Sequence, residues 1–586
     1  MLSGNTTGRK PSSRSQRFLQ PQIDPDDSFW VRCEQVVSLH HPARWILQLV
    51  QQLDLSEFCG SYKGYGSLAF PADRLLAFVL YQYSQGDISP ARWAKKACED
   101  LPSIWLLQGL QPKRSFLYTF RKRCEPFLDG WLGQVTRLAI NRGFTTAEQG
   151  ALDGTFVAAL ASRHQLMSVR RLDRRVRLLR LLVWLEQGHD QPLPQRLEQV
   201  PQLLEMALAL LLQPELVGVW DYPQQCLNNL VSLLQLLPGD GTANNPVRIP
   251  TWVPKTARGR QNRLQAYLKA QKCLEKRLAP LRQKAKLSKK EQRTLKLAKI
   301  SVTDPEAALG RDKMGTYRPL YNVLLVQATD APLTLSFEVL SRNNDDGLLR
   351  PMLEWTRQSQ NLPLREILVD GAFLCVLDVL WCEQQDILVY GPPAKVSPAK
   401  VSPAAGGQPV GQQGQSQAAP KPPGKVVKLP KSAFRYEAEE GVYYCPEGKR
   451  LEELYRTTEK QGEKKELPVI VHRASGDDCQ ACPRAGECTS NAAKGRIVKR
   501  FVGEEALERV EKRMQDPAAQ EVYRKRGQSV ELGYADLKEH RGLTKFRCFD
   551  NQQIRAQAGL TILASNIIKL QRLVRQRENS PEKPAA

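Results

Sequence analysis

Two stretches of the chain end an apolar run on an aspartate followed by glycine, Ala151-Leu152-Asp153-Gly154-Thr155 and Leu368-Val369-Asp370-Gly371. A carboxylate at the end of a buried strand is a hard oxygen ligand on a rigid support, and the glycine beside it tolerates close approach. Taken singly, such Asp-Gly pairs mark turns more often than sites. A third acid, Glu531, lies in a stretch that runs on to Leu537-Lys538. If this is a helix from about Ser529, then Glu531, Tyr534 or Ala535, and Lys538 share one face. A solvated helix with paired charges has the same pattern. Phosphodiester attack is the chemistry that would use all three acids. It needs two in-line oxygens and neutralisation of developing charge, which two Mg²⁺ ions held by convergent carboxylates supply. Asp330 and Asp345 are the nearest rivals for the second ligand.

A second group of residues has metal-binding character. Cys445, Cys479, Cys482 and Cys488 include one Cys-x-x-Cys pair and a third thiol close by. Two thiolates so spaced can grip one tetrahedral ion, with a distant pair completing the site. The sequence leaves a structural Zn²⁺ clip and free thiols both open, with His472 as a substitute ligand. Isolated cysteines such as Cys33, Cys124 and Cys273 read as small core hydrophobes.

These residues need elements to carry them. The first thirty residues are polar and lack the apolar core of a signal peptide. The most apolar stretch, around 203–212, is broken by Glu205 and is too short to span a bilayer. The expectation is therefore a soluble, cytoplasmic protein with no membrane contact. Residues 1–27 and 576–586 read as disordered tails and 28–147 as a helical N-terminal domain. In that domain Arg121 and Lys122 belong to a basic rim suited to DNA. Residues 148–164 begin the core, 165–300 form a basic helical insertion, and 301–390 continue the core. Strands at 320–328, 333–339, 365–369 and 386–390, with helices at 348–358 and 374–383, predict an α/β fold with an RNase H-like mixed sheet. Residues 391–434 read as a flexible linker, 435–500 as the cysteine segment, and 501–575 as one C-terminal helical block carrying the third acid.

Charge sharpens the choice of partner. Lys and Arg number 85 against 61 Asp and Glu, a formal net charge of +24. Such an excess repels itself unless a polyanion is near, so nucleic acid is the expected partner. Between Lys255 and Lys299 stand sixteen basic residues and two acids, Glu275 and Glu291.

Four separate stretches make the chain resemble the bacterial insertion-sequence DDE transposases whose third acid sits in a Tyr-Arg-Glu-Lys signature. The N-terminal likeness is Ile88-Ser89-Pro90-Ala91-Arg92, with Arg114-Ser115 and Phe120-Arg121. Leu152-Asp153-Gly154-Thr155 is similar to the first-Asp strand. Asp304-Pro305-Glu306-Ala307, Tyr321-Asn322, Asn344-Asp345 and Val369-Asp370-Gly371-Ala372 resemble the central core. Tyr523, Arg526, Glu531 and Lys538, ahead of Asn566, look like the closing block. The gap from Arg526 to Glu531 is one residue longer than in the best-known form of the signature.

The resemblance implies a catalytic triad of Asp153, Asp370 and Glu531. Asp153 would bridge two Mg²⁺ ions, Mn²⁺ being able to substitute, and the other two acids would each hold one. It further implies that Tyr523, Arg526 and Lys538 position DNA phosphates. The reaction would be hydrolysis at a transposon end, then attack of the freed 3′-hydroxyl on target DNA. Double-stranded DNA is the implied partner, a homodimer or larger assembly holds paired ends, and similar cysteines occur at this place in the family. The competing readings are a transposase-derived DNA-binding protein that no longer cuts, and an RNase H-like nuclease that cuts without joining.

Overall fold

A run such as 320–328, apolar apart from Asn322 and Gln327, is stable only as a strand covered on both faces. In the computed structural model it forms β5 (Tyr317–Ala328), buried from Pro319 onward. Residues 18–19, 21, 23–24, 26–62, 68–187, 251–284, 287–312, 315–392, 429–461 and 465–579 are described. The readings of 1–17 and 580–586 as tails, of 393–428 as linker, and of 188–250 as insertion lie outside the described residues.

The central sheet is mixed. β1 (Gln149–Ala158) pairs antiparallel with β5 and parallel with β7 (Glu366–Leu368), and β8 (Leu388–Tyr390) pairs parallel with β7. On the far side of β5 lie β6 (Thr334–Leu340) and, further along, β4 (Ala308–Arg311). The turn joining β5 to β6 falls at the expected Thr-Asp-Ala-Pro. Its Asp330 accepts from Thr145 Oγ1 at 2.6 Å and from the Thr146 N–H at 2.8 Å. Asp330 thereby fixes the approach to β1, which removes it as a rival ligand.

The N-terminal helices are α1 (Ser28–Val36), α2 (Pro42–Val50), α3 (Ala72–Ser84), α4 (Pro90–Glu99), α5 (Leu101–Leu107), α6 (Arg114–Cys124) and α7 (Leu128–Asn141). Proline opens α4, where its missing N–H costs nothing, but Ser89 makes no side-chain cap. Asp87 instead pins this helix through Arg92 at 2.8 Å and Lys96 at 3.3 Å.

The insertion is built on α8 (Val169–Gln187), α9 (Ala257–Arg282) and α10 (Lys289–Leu297), with β2 (Leu166–Ser168) laddered to β3 (Lys299–Ser301) at its base. Leu172, Val176, Leu179, Leu264, Tyr267, Leu274 and Ile300 give it a core of its own. Downstream, α11 (Leu349–Gln360) and α12 (Val376–Gln384) accompany β7 and β8.

The cysteine segment folds as a five-stranded antiparallel sheet ordered β13-β12-β11-β10-β9. Its strands are β9 (Arg435–Glu437), β10 (Val442–Tyr444), β11 (Arg450–Gln461), β12 (Lys465–Ala474) and β13 (Ile497–Phe501). The expected linker to 434 ends sooner than composition suggests. Leu429 N–H donates to Glu487 O at 2.8 Å, and Phe434 is buried in this module's core.

Nor is 501–575 one block. The helices α13 (Glu505–Arg513) and α14 (Pro517–Ala535) pack against the central sheet and α12. The last helix, α15 (Asn551–Asn579), runs among α2, α3, α6 and α7 and touches β6. Residues 556–571 of α15 are buried throughout, including Gln557, Thr561, Ser565 and Asn566. Asn566 completes the β6 edge: its Oδ1 accepts from Thr334 N–H at 3.0 Å and its Nδ2 donates to Thr334 O at 2.8 Å. A buried edge would otherwise leave these groups unpaired. Hydrophobic periodicity cannot show that the chain's end belongs with its beginning.

Candidate active site

Strand register places the two aspartates. Ala151 stands opposite Leu368 in the parallel pair, so Asp153 and Asp370 each follow by two residues on neighbouring strands. Alternate residues share a face and adjacent strands run about 4.8 Å apart, which sets the two carboxylates side by side. Asp153 is not in a turn. β1 continues through Ala158, with Asp153 opposite Leu325. Asp370 does end its strand, and its carboxylate accepts from the Ala372 N–H at 2.5 Å.

Asp345 joins them from the loop before α11. Asn322 Nδ2 donates to its carboxylate at 2.5 Å. Gly154 makes room for this arrangement: a Cβ there would stand 2.6 Å from Asp345 Oδ1 and 2.9 Å from Asn322 Oδ1. Burial lifts the Asp153 carboxyl above its ordinary range and the Asp370 and Asp345 charges push the same way, opposed by Arg526 and the Gly154 N–H. Asp345 is lifted too, by burial first, with Asn322 opposing and Asp370 adding. The signal in the sequence was Asn322, a polar residue inside an apolar strand that needs a buried partner.

Helix α14 lies across this edge. Its helical stretch begins at Pro517, capped by Asp516, well before the expected Ser529. Tyr534 O–H donates to Asp153 O at 2.6 Å and is 3.1 Å from Val323 O. Arg526 Nη2 stands 3.3 Å from Asp153 Oδ1. Past the end of α14 the chain makes a wider turn over Asp536–His540, and Lys538 Nζ donates to Thr155 Oγ1 at 2.5 Å. Tyr523 faces the same charges: burial raises its hydroxyl pKa, Arg526 opposes, and Asp370 and Asp153 add.

Glu531 is placed differently from the two aspartates. It follows Arg526 by five residues and precedes Tyr534 by three, so its backbone lies over the site, yet its side chain is exposed. Asp153 is in direct contact with the Arg526 guanidinium rather than with a third carboxylate. Among the described residues, no three His, Cys, Asp or Glu side chains are arranged to hold a metal ion as they stand.

Two expected DNA contacts face elsewhere. Arg121 is 1 % exposed and its Nε donates to Gln553 at 3.1 Å, so it tethers α6 to α15 and corrects the reading of a phosphate-binding side chain. Lys122 is half-exposed and ion-paired to Asp550 at 2.9 Å.

The cysteines come together at one end of the five-stranded module. Cys445, Cys479 and Cys488 line its core with Phe434 and Tyr443, and Cys488 lies in the field of the other three thiols. Cys445 Sγ accepts from the Lys449 N–H at 3.3 Å. His472 stands apart on β12, buried against the rings of Tyr436 and Tyr443.

Residues 444–571 match the family model of the transposase DDE domain. The likeness to a transposase DDE domain is shown over this C-terminal span. The matched span holds all four clustered cysteines, Tyr523, Arg526, Glu531 and Lys538, while Asp153 and Asp370 precede it. No curated protein and no solved structure matches the chain.

The crowding around Gly154 yields a first expectation. Gly154→Ala must displace the Asp345 carboxylate, and overpacking of this size costs about 1–3 kcal/mol. The variant should stay folded by circular dichroism and, if the site cleaves DNA as proposed below, lose at least roughly tenfold in cleavage rate, since each 1.36 kcal/mol of lost transition-state stabilisation is tenfold. An unchanged rate would show that Asp345 can be moved without consequence.

Proposed function

We propose that the whole chain is a DDE transposase that cleaves DNA at the ends of its element and joins them to target DNA, with Asp153, Asp370 and Glu531 as ligands of two divalent cations. The observation that carries this reading is the matched position of Asp153 and Asp370, each two residues beyond the Ala151–Leu368 pair of adjacent parallel strands, with the Glu531 helix seated on Asp153 through Tyr534. Three antiparallel strands followed by two parallel ones, flanked by helices, support an RNase H-like core.

The donor set suits Mg²⁺ or Mn²⁺. Carboxylate oxygens are hard ligands, and the mutual repulsion of Asp153, Asp370 and Asp345 is what a divalent cation relieves. Bound there, such ions would lower the pKa of an attacking water or 3′-hydroxyl and offset charge on the leaving oxygen. The chain's own groups do the rest. Tyr534 fixes the backbone of Asp153, and Lys538, held on Thr155, presents its ammonium beside the acids. Arg526 balances Asp153 in the free protein and can turn to a phosphate oxygen when DNA enters. Charge-assisted contacts of this kind fix register rather than read bases.

Duplexes carrying the DNA that flanks the reading frame, incubated with the transposase and Mg²⁺, test the reaction. Joined products are expected. Cutting without joining would make it a nuclease, and binding without cutting a regulator. Two or more protomers holding two ends, in the cytoplasm at the nucleoid, complete the reading; no described helix is long and apolar enough to cross a membrane.

The four cysteines fit a structural Zn²⁺ clip by chemistry, being soft thiols gathered where a small module has few large apolar residues. About one zinc per chain is expected in metal analysis of the purified transposase. Cys482→Ser or a strong chelator should lower both the zinc content and the melting temperature. Zinc-free protein that melts as before would leave the cysteines as free thiols.

A further inference from the structure

We propose that the arginine face of α8 is a docking surface for the phosphate backbone of duplex DNA, a contact separate from the acidic site. The inference rests on the DNA-transposition reading and adds to it the job of the insertion.

Arg170, Arg171, Arg174, Arg177 and Arg180 are all exposed, and among the described residues none has a carboxylate within ion-pair distance. At 100° per residue, Arg170, Arg174 and Arg177 form one stripe, with Arg171 and Arg180 flanking it. At 1.5 Å per residue the stripe spans roughly 10 Å. Among the described residues two acids lie near it: Asp173 is turned toward α9, where Gln271 Nε2 donates to it at 2.9 Å, and Glu275 of α9 lines the groove that Arg177 and Arg180 border.

Three other basic residues of the insertion are used structurally. Arg175 donates to Tyr267 O–H at 2.9 Å and lies over the Trp252 ring. Lys269 pairs with Glu306, and Arg277 donates to the carbonyls of Pro305, Glu306 and Ala307 at 2.6–3.0 Å. These last contacts tie the insertion to the loop leading into β4, so the stripe is carried on a braced arm. The guanidinium groups of the Arg170, Arg174 and Arg177 stripe repel one another, and no contact among the described residues of the insertion requires them there.

The partner must be a polyanion with repeated phosphates. A second copy of the chain has the same excess of positive charge and is no complement to an arginine stripe unless DNA lies between them. A lipid surface would want an apolar face beside the charges, but Leu172, Val176 and Leu179 are spent on the insertion's own core. Duplex DNA is what a transposase must hold, and arginine suits phosphate geometry.

The test uses full-length protein and a fluorescently labelled 40-base-pair duplex, with anisotropy read over a series of salt concentrations. For R170Q/R174Q/R177Q the salt slope of log K should fall by about 3, since each phosphate contact contributes about 0.9. Affinity near 0.1 M salt should drop by roughly tenfold or more, with the melting curve unchanged. Should the triple variant fold poorly, the single R174Q must still lower the slope by about 0.9. Equal slopes and affinities in wild type and variants would overturn the proposal while leaving the transposition reading intact. Variants that bind DNA normally but lose self-association would assign the stripe to a protein partner and overturn it equally. Wild-type protein that binds no duplex at all would remove both.

Discussion

Asp153→Asn is expected to lower DNA cleavage and joining by roughly three orders of magnitude while leaving duplex binding within about twofold. A metal-held charge supplies several kcal/mol of transition-state stabilisation, and each 1.36 kcal/mol is tenfold in rate. The amide keeps the shape of the side chain and the Gly154 N–H contact but removes the negative charge that Asp370 and Asp345 now oppose. Binding should survive because it draws on phosphate contacts over a wide basic surface. Gel separation of cut and joined products, beside anisotropy on the same preparations, reads both effects. Full activity in this variant would remove Asp153 from the chemistry.

The second large effect concerns stability. Arg555, on α15, stands 2.7 Å from Asp129, 3.1 Å from Glu125 and 3.2 Å from Glu338. It therefore joins the N-terminal helices to β6 of the catalytic sheet. Breaking a buried ion pair by removing one partner costs about 3–5 kcal/mol, because the remaining charges are stranded. Arg555→Met should destabilise the protein by about that amount at neutral pH, read by urea denaturation. The pH dependence has a definite sign. Burial already raises the Asp129 and Glu338 carboxyls above their ordinary values in spite of Arg555. Without the guanidinium they rise further, so the folded variant takes up protons that the unfolded chain releases. Its deficit should shrink as pH falls through these raised values and be complete above them. A deficit independent of pH would mean that lost packing, not charge, dominates.

Much of the catalytic sheet was legible in the sequence for local reasons. The 320–328 run and the Thr-Asp-Ala-Pro turn define β5 and β6, and β7 and β8 are short apolar segments bounded by breakers. Long-range facts were not legible. That α15 threads the N-terminal helices depends on packing partners hundreds of residues away, as when Trp45 Nε1 donates to Ile567 O at 3.0 Å. Arg121 read as a DNA contact because it sits among Arg and Lys, and only the fold shows it turned to Gln553. Asp153 and Asp370 could be picked from type and neighbours, but their shared register comes from strand pairing. Asp345 was visible as a rival ligand and in the Asn344-Asp345 likeness, but not its link to Asn322, which crosses from a loop to a strand.

Counting bound Mn²⁺ by electron paramagnetic resonance on the protein–DNA complex asks most directly whether the acids act as a metal site. Two ions per chain are expected for the wild type, and fewer for each of Asp153→Asn, Asp370→Asn and Glu531→Gln. Wild-type binding in all three variants would contradict the account. Loss in Asp345→Asn but not in Glu531→Gln would hand the third ligand position to Asp345.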